Sequence, residues 1–151
     1  MRTINRIFVH CTATSQSISI RRIQQSWRNM GWKSPGYHYI IEADGRITQL
    51  LDESRCANGV KGYNANSIHV AYVGGVEHIS GKWKPVDTRT DTQKASLISL
   101  LRELRRRYPD AKILGHRDIS PDKNGNGKVD AWERIKECPC FDAIPEYISL
   151  K

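Results

Sequence analysis

Apolar positions along the chain fall into short runs of two different periods. Residues 6–11 hold Ile7, Phe8 and Val9 in succession, the pattern of a strand covered on both faces. After Ser19, a favoured helix N-cap, Ile20, Ile23, Gln24 and Trp27 share one helical face, and Gly31 ends the stretch. Residues 37–41 and 47–51 read as strands, with the hairpin signal Asp44-Gly45 between them. Residues 68–73 predict another apolar strand, stopped by Gly74-Gly75. Thr90 and Gln93 spell a capping box. The helix beyond carries Leu97, Ile98, Leu101, Leu104 and Tyr108 at helical spacing, until Pro109. Residues 112–114 predict a short strand leading into Gly115-His116, followed by a polar loop and a short helix over about 131–137. Strands interleaved with helices predict an α/β domain, a mixed central β-sheet flanked by helices.

The chain has 151 residues, 38% hydrophobic and 26% charged, enough for one domain over 1–151 with a core that needs no staples. No apolar run approaches the roughly 20 residues of a membrane span. The first residues enter the strand pattern without the apolar stretch of a secretory signal, so synthesis in the cytoplasm without an export signal is expected. A formal net charge of +8 favours anionic partners without choosing among nucleic acid, membrane surface and cell envelope. Much of it sits at Arg102, Arg105, Arg106 and Arg107, which read as the solvated face of a helix. Neither a helix-turn-helix pattern nor an aromatic RNA-binding strand motif is present, so nucleic acid is not the expected partner. The four cysteines, Cys11, Cys56, Cys138 and Cys140, suit metal binding or burial better than two disulfides.

Two histidines stand at strand ends, His10 after the first strand and His116 after the last, and Cys138 precedes Pro139 near the C-terminus. Two imidazoles and a thiol are good zinc ligands, and three such ligands with an open fourth position make a catalytic site. Their spacing carries little information on its own; the segments around them carry more. Phe8-Val9-His10-Cys11-Thr12-Ala13-Thr14 resembles the first-ligand motif of the type 2 N-acetylmuramoyl-L-alanine amidases. Gly36-Tyr37-His38-Tyr39-Ile40-Ile41 resembles their catalytic-tyrosine strand, and Lys61-Gly62-Tyr63-Asn64-Ala65-Asn66-Ser67-Ile68 the loop that follows. Gly115-His116-Arg117-Asp118 and Lys136-Glu137-Cys138-Pro139-Cys140-Phe141-Asp142 resemble the second-ligand and the lysine and third-ligand segments. The five occur in family order over nearly the whole chain.

The resemblance implies the amidase fold shared with animal peptidoglycan recognition proteins, and relatives among small phage enzymes that lyse the host wall. It implies zinc on His10, His116 and Cys138, and catalytic roles for Tyr37 and Lys136. The implied reaction is zinc-dependent hydrolysis of the amide between N-acetylmuramic acid and L-alanine in peptidoglycan. A zinc-activated water attacks the lactyl carbonyl, the Lys136 ammonium stabilises the oxyanion, and the Tyr37 phenol orients water or carbonyl. Thr12, Trp32 and Asn64 are the expected substrate contacts. The partner is then peptidoglycan or muropeptides, the place of action the bacterial cell wall, and the state a monomer. A peptidoglycan-binding module without catalysis is the alternative; retention of two histidines and a cysteine argues against it.

The sequence departs from the family pattern in three places. Relatives often carry a groove-facing histidine just before the Lys-Gly-Tyr-Asn run, where this chain has Cys56-Ala57-Asn58-Gly59-Val60. Cys140 stands two residues after Cys138 and could compete as a ligand; the Lys-x-Cys-Pro order favours Cys138. Residues 122–133 form an insertion that matches an EF-hand calcium loop by position: Asp122, Asn124 and Asn126 at 1, 3 and 5, Gly127 at the turn, the Lys128 carbonyl at 7, Asp130 at 9 and Glu133 at 12. Calcium is expected there, relieving repulsion among Asp122, Asp130 and Glu133 and fixing the start of the helix over 131–137.

Overall fold

The structure, a computed structural model, describes residues 2–150. Five strands form the central sheet: β1 (Arg6–Cys11), β2 (Tyr39–Ile41), β3 (Ile47–Gln49), β4 (Ser67–Tyr72) and, after a detached hairpin of β5 (Val76–Ile79) and β6 (Lys82–Pro85), β7 (Lys112–Gly115). Their order is β3-β2-β4-β1-β7. β1 lies parallel between β4 and β7, and only β3 runs antiparallel, against β2. The expected mixed sheet is therefore present, with the parallel strands β2, β4 and β1 in its buried centre, where runs such as Ile7-Phe8-Val9 are fully enclosed.

Helix α1 (Ile20–Asn29) starts where Ser19 accepts from the Arg22 amide, and its buried face is Ile23 and Trp27. Helix α2 (Asp91–Arg107) opens on the Thr90–Gln93 capping box. Gln93 does more than cap. Its side-chain amide is fully buried and donates to the Ile41 and Val73 carbonyls at 3.1 and 2.9 Å, tying the start of α2 to the ends of β2 and β4. The face α2 buries is Leu97, Leu100, Leu101 and Leu104; Ile98, placed on it by spacing, lies 37% exposed, and Leu100 takes its place one helical step round. As expected, Arg102, Arg106 and Arg107 face solvent, while Arg105 is half-buried. A short α3 (Ala143–Tyr147) completes the layer, burying Ala143 and Tyr147.

Alternation along β1 divides the two sides of the sheet. Ile7, Val9 and Cys11 join α2 and α3 in the larger core. Phe8 and His10 point the other way, where α1 packs Ile23 and Trp27 near the end of β2. Here the side chains are increasingly polar, and the surface is open.

Two expected elements take a different form. Tyr37 precedes β2 instead of lying in it. The helix expected over 131–137 shrinks to a single 3-10 turn, Ala131–Glu133. The Ile135 amide donates to the Ser120 hydroxyl at 2.9 Å in place of the carbonyl four residues back, so the helical ladder never starts.

Candidate active site

Parallel pairing decides where the two strand-end histidines meet. β1 and β7 are in register with Val9 opposite Gly115, so the next residues, His10 and His116, emerge side by side. Their rings lie edge to face, centroids 5.0 Å apart. Cys138 arrives from the C-terminal segment: its sulfur is 3.7 Å from His10 Nδ1 and accepts the Cys11 amide at 3.2 Å. One ligand atom from each of His10, His116 and Cys138 lies within 4.8 Å of the others, the one such group of His, Cys, Asp or Glu found among the described residues.

Local chemistry holds the cysteine there. Gly115 leaves room for Pro139, whose Cδ would lie 2.7 Å from any Cβ at that position. The Pro139 carbonyl accepts the Tyr72 hydroxyl at 2.7 Å, and the Cys138 carbonyl accepts the Arg117 amide at 2.8 Å. Arg117 is itself buried and pairs with Asp142 at 2.5 Å. Cys140, the rival ligand, turns away: its thiol donates to the Gly75 carbonyl at 3.3 Å and sits 3.9 Å from the buried Cys11 sulfur. All four cysteines are free thiols; Cys11 is buried, Cys138 and Cys140 are half-buried, and Cys56, expected to be buried or to bind metal, is exposed and lies outside the His-His-Cys group.

Burial sets the protonation of the donors. It pushes His10 well below the usual imidazole range, with His69, His116 and Lys136 adding to the effect. Burial and then Lys136 lower His116 to about 4. Both rings are neutral at pH 7 and offer lone pairs, the form in which imidazole binds a metal. Two neutral imidazoles and a thiol, closed behind by the sheet and open in front, fit a tetrahedral zinc ion with one free position.

The open side faces a groove of about 230 Å³ whose lining includes Thr12, Trp32, Tyr37, Asn58 and Lys136 beside the His-His-Cys group. A second lobe of about 460 Å³ shares Trp32, Asn58, Gly59, His116 and Lys136 and extends to Lys61 and Asn64. Every residue expected at the site thus lies along one continuous groove. Tyr37 is half-buried beside the His10 ring, centroids 5.1 Å apart, and its hydroxyl donates to the Cys11 carbonyl at 3.3 Å. Burial, then the Cys138 and Cys11 sulfurs, hold its phenol well above the ordinary range, so it remains a donor. Lys136 is exposed at the rim. Asn64 spends its side-chain oxygen on the Val60 amide at 2.8 Å, and Thr12 accepts the Gly74 amide at 3.0 Å.

The inserted loop has a different character. Asp122 accepts the Gly125 and Gly127 amides at 3.0 and 2.8 Å. Glu133, only 1% exposed, accepts the amides of Lys123, Asn124 and Asp130. Asn124 and Asn126 donate to Asp130 at 3.0 and 2.8 Å. The carboxylates of Asp122, Asp130 and Glu133 thus accept N–H groups within the loop. In place of the helix expected over 131–137, whose start calcium was to fix, the loop runs into the 3-10 turn Ala131–Glu133.

His69 is not among the residues that the sequence points to. It lies in the middle of β4, fully buried, with its Nδ1 2.9 Å from His10 Nε2. A polar ring inside the run Ile68-His69-Val70-Ala71 was the available signal.

Residues 1–139 match the sequence profile of the N-acetylmuramoyl-L-alanine amidase family. The endolysin of Enterobacteria phage K11 is 36% identical over 140 residues, spanning 91% of this chain and 82% of the phage protein. Among solved structures, the N-acetylmuramoyl-L-alanine amidase LysC from Clostridium intestinale aligns with a TM-score of 0.72 at 24% identity, covering 97% of this chain and 83% of that one. Drosophila PGRP-LB, a peptidoglycan recognition protein, aligns with a TM-score of 0.71 at 19% identity, covering 99% and 82%. At these identities the two structures bear on the fold alone, and they match the mixed sheet with its flanking helices. The profile and the phage relative go further, and by them the chain belongs to the N-acetylmuramoyl-L-alanine amidase family, as an enzyme that hydrolyses the amide between N-acetylmuramic acid and L-alanine of peptidoglycan.

Proposed function

We propose that this amidase is a zinc enzyme of the endolysin kind, with the metal on His10, His116 and Cys138 and the stem peptide lying in the groove in front of it. The observation that carries the proposal is the convergence of two neutral imidazoles and a thiol at the floor of a groove that Tyr37 and Lys136 also line. The whole chain acts as one domain, as a monomer. Bound zinc supplies Lewis acidity, lowering the pKa of a water to about 7 and polarising the scissile carbonyl.

The protein's own groups do the rest. Lys136 projects its ammonium into the groove beside His116 and Cys138, where negative charge develops on the carbonyl oxygen during attack. Tyr37 keeps its proton and donates a hydrogen bond that orients the attacking water or the carbonyl. Trp32 gives the sugar or peptide an apolar wall, and Thr12 and the Asn64 side-chain amide offer polar contacts at the two ends. Relatives named endolysin support a role in opening the bacterial wall. No helix among the described residues is long and apolar enough to cross a membrane.

Mass spectrometry of digested muropeptides tests the reading. The expected products are glycan strands bearing free lactyl carboxyls and stem peptides with a free L-alanine amino group. Binding to peptidoglycan without release of either product would sink it and favour the binding-module alternative.

A structural calcium ion on residues 122–133 forms a separate part of the proposal. It rests on the order of oxygen donors Asp122, Asn124, Asn126, Lys128, Asp130 and Glu133. With zinc saturating, calcium should raise the melting temperature of the wild type progressively with concentration, and should not raise that of Glu133→Gln. A wild-type melt that calcium leaves unmoved makes the loop a self-satisfied turn.

A further inference from the structure

Behind the His-His-Cys group, Phe8, His69 and His38 stack ring on ring. His69 stacks between Phe8 and His38, with centroids 5.5 and 5.9 Å apart and interplanar angles of 7° and 4°. The orientation of His38 is fixed from two sides: its Nδ1 accepts the His69 backbone amide at 3.0 Å, and its Nε2 donates to the Arg55 carbonyl at 2.7 Å. The chain passing over His69 has no side chain at the point of contact. A Cβ on Gly59 would lie 2.2 Å from His69 Nδ1 and 2.4 Å from Cγ. Gly59 is not held in the left-handed region, so the backbone does not demand glycine there. The space for the imidazole does.

The two ends of His69 are treated differently. Nδ1 meets His10 Nε2 at 2.9 Å. Nε2 is buried and has no hydrogen-bond partner among the described residues. A buried polar atom left alone is uncommon in folded proteins and calls for an explanation. One follows from proton counting. When a metal takes the lone pair on His10 Nδ1, the single proton of neutral His10 must sit on Nε2, which then donates. His69 Nδ1 must accept, and the His69 proton is left on the unpartnered Nε2. The arrangement satisfies the His10 end at the expense of the far end.

We infer that His69 is a positioning residue for the metal site, accepting the His10 Nε2–H so that Nδ1 faces the groove in the metal-binding tautomer, and that Gly59 is glycine to make room for it. The inference rests on the zinc reading above. Hydrogen bonds from metal-bound imidazoles to outer groups fix tautomer and ring angle, and their loss weakens metal binding about 10- to 100-fold. In most such sites the acceptor is a carboxylate or carbonyl. Here the partner is a second neutral imidazole, which orients His10 without adding negative charge behind the metal.

The test measures zinc dissociation constants by competition with a chromophoric chelator, alongside the melting temperature of the metal-free forms. Asn and Leu are nearly the same size, and Asn can put Oδ1 where His69 has Nδ1. His69→Leu should weaken zinc about 10- to 100-fold, and His69→Asn should recover most of that loss. His69→Phe keeps the stack between Phe8 and His38 without an acceptor, and should bind zinc as weakly as His69→Leu. A merely structural role predicts the reverse order, with Phe best. Folded Leu or Phe variants that bind zinc within about twofold of wild type overturn the inference. Wild type and His10→Ala are run together as controls: if wild type takes up no zinc, the zinc reading itself fails; if wild type binds and His10→Ala does not, the His69 variants are judged on their own.

Discussion

Stripping the metal with a chelator should abolish peptidoglycan cleavage, and added zinc should restore it. The expected loss is at least about 1,000-fold, because Lewis-acid activation is worth several kcal/mol and each 1.4 kcal/mol is a factor of ten. His10→Ala should lose metal and activity together, since it removes one of the three donors that lie within 4.8 Å of one another. Cys138→Ser and Cys140→Ser should separate cleanly. The first removes the sulfur facing His10; the second changes a thiol engaged with Gly75 and Cys11, and should keep zinc. Metal content by atomic absorption and product release on the same samples check all of this. Full turnover in a preparation shown to be metal-free would end the zinc reading.

Lys136→Ala should lower turnover roughly 100- to 1,000-fold, the range found when one oxyanion donor is removed. The side chain is exposed and makes no hydrogen bond or salt bridge among the described residues, so the melting temperature and zinc content should stay at wild-type values. Tyr37→Phe deletes a single hydroxyl and should cost the same or less. That hydroxyl now donates to the Cys11 carbonyl, and its loss leaves a packed ring against His10 and Trp27. The check is steady-state kinetics on a soluble muropeptide with zinc measured in parallel. Lys136→Ala turning over at the wild-type rate would remove it from the catalytic group. Loss of zinc from either variant would recast that residue as part of the metal site.

Much of this enzyme was legible along the chain. The Thr90–Gln93 capping box, the Ser19 N-cap and the strand over Ile7, Phe8 and Val9 are local signals, decided by residues within a few positions of one another, and each stands as expected. Hydrophobic pattern failed where local order was supplied by something else. The β5–β6 hairpin carries no buried residue, so no apolar period marks it. Helix α3 is five residues long with Pro145 inside. The 131–137 stretch looks helical until the Ser120 hydroxyl takes the Ile135 amide, a contact fifteen residues away in sequence.

The site divides along the same line. His10, His116, Cys138, Tyr37 and Lys136, the residues proposed to carry the chemistry, could be named from the segments around them, which resemble the family's motifs. Their meeting could not be read from spacing, since it depends on long-range pairing: the β1–β7 register puts His10 next to His116, and a cradle made by Gly115, Tyr72 and Arg117 delivers Cys138. His69 and Gly59 stand ten positions apart on a strand and a loop, and nothing in either segment announces the other. Only packing across the sheet shows that the missing Cβ of one is the space filled by the ring of the other, because a void and its occupant are properties of the folded chain and have no image in sequence order.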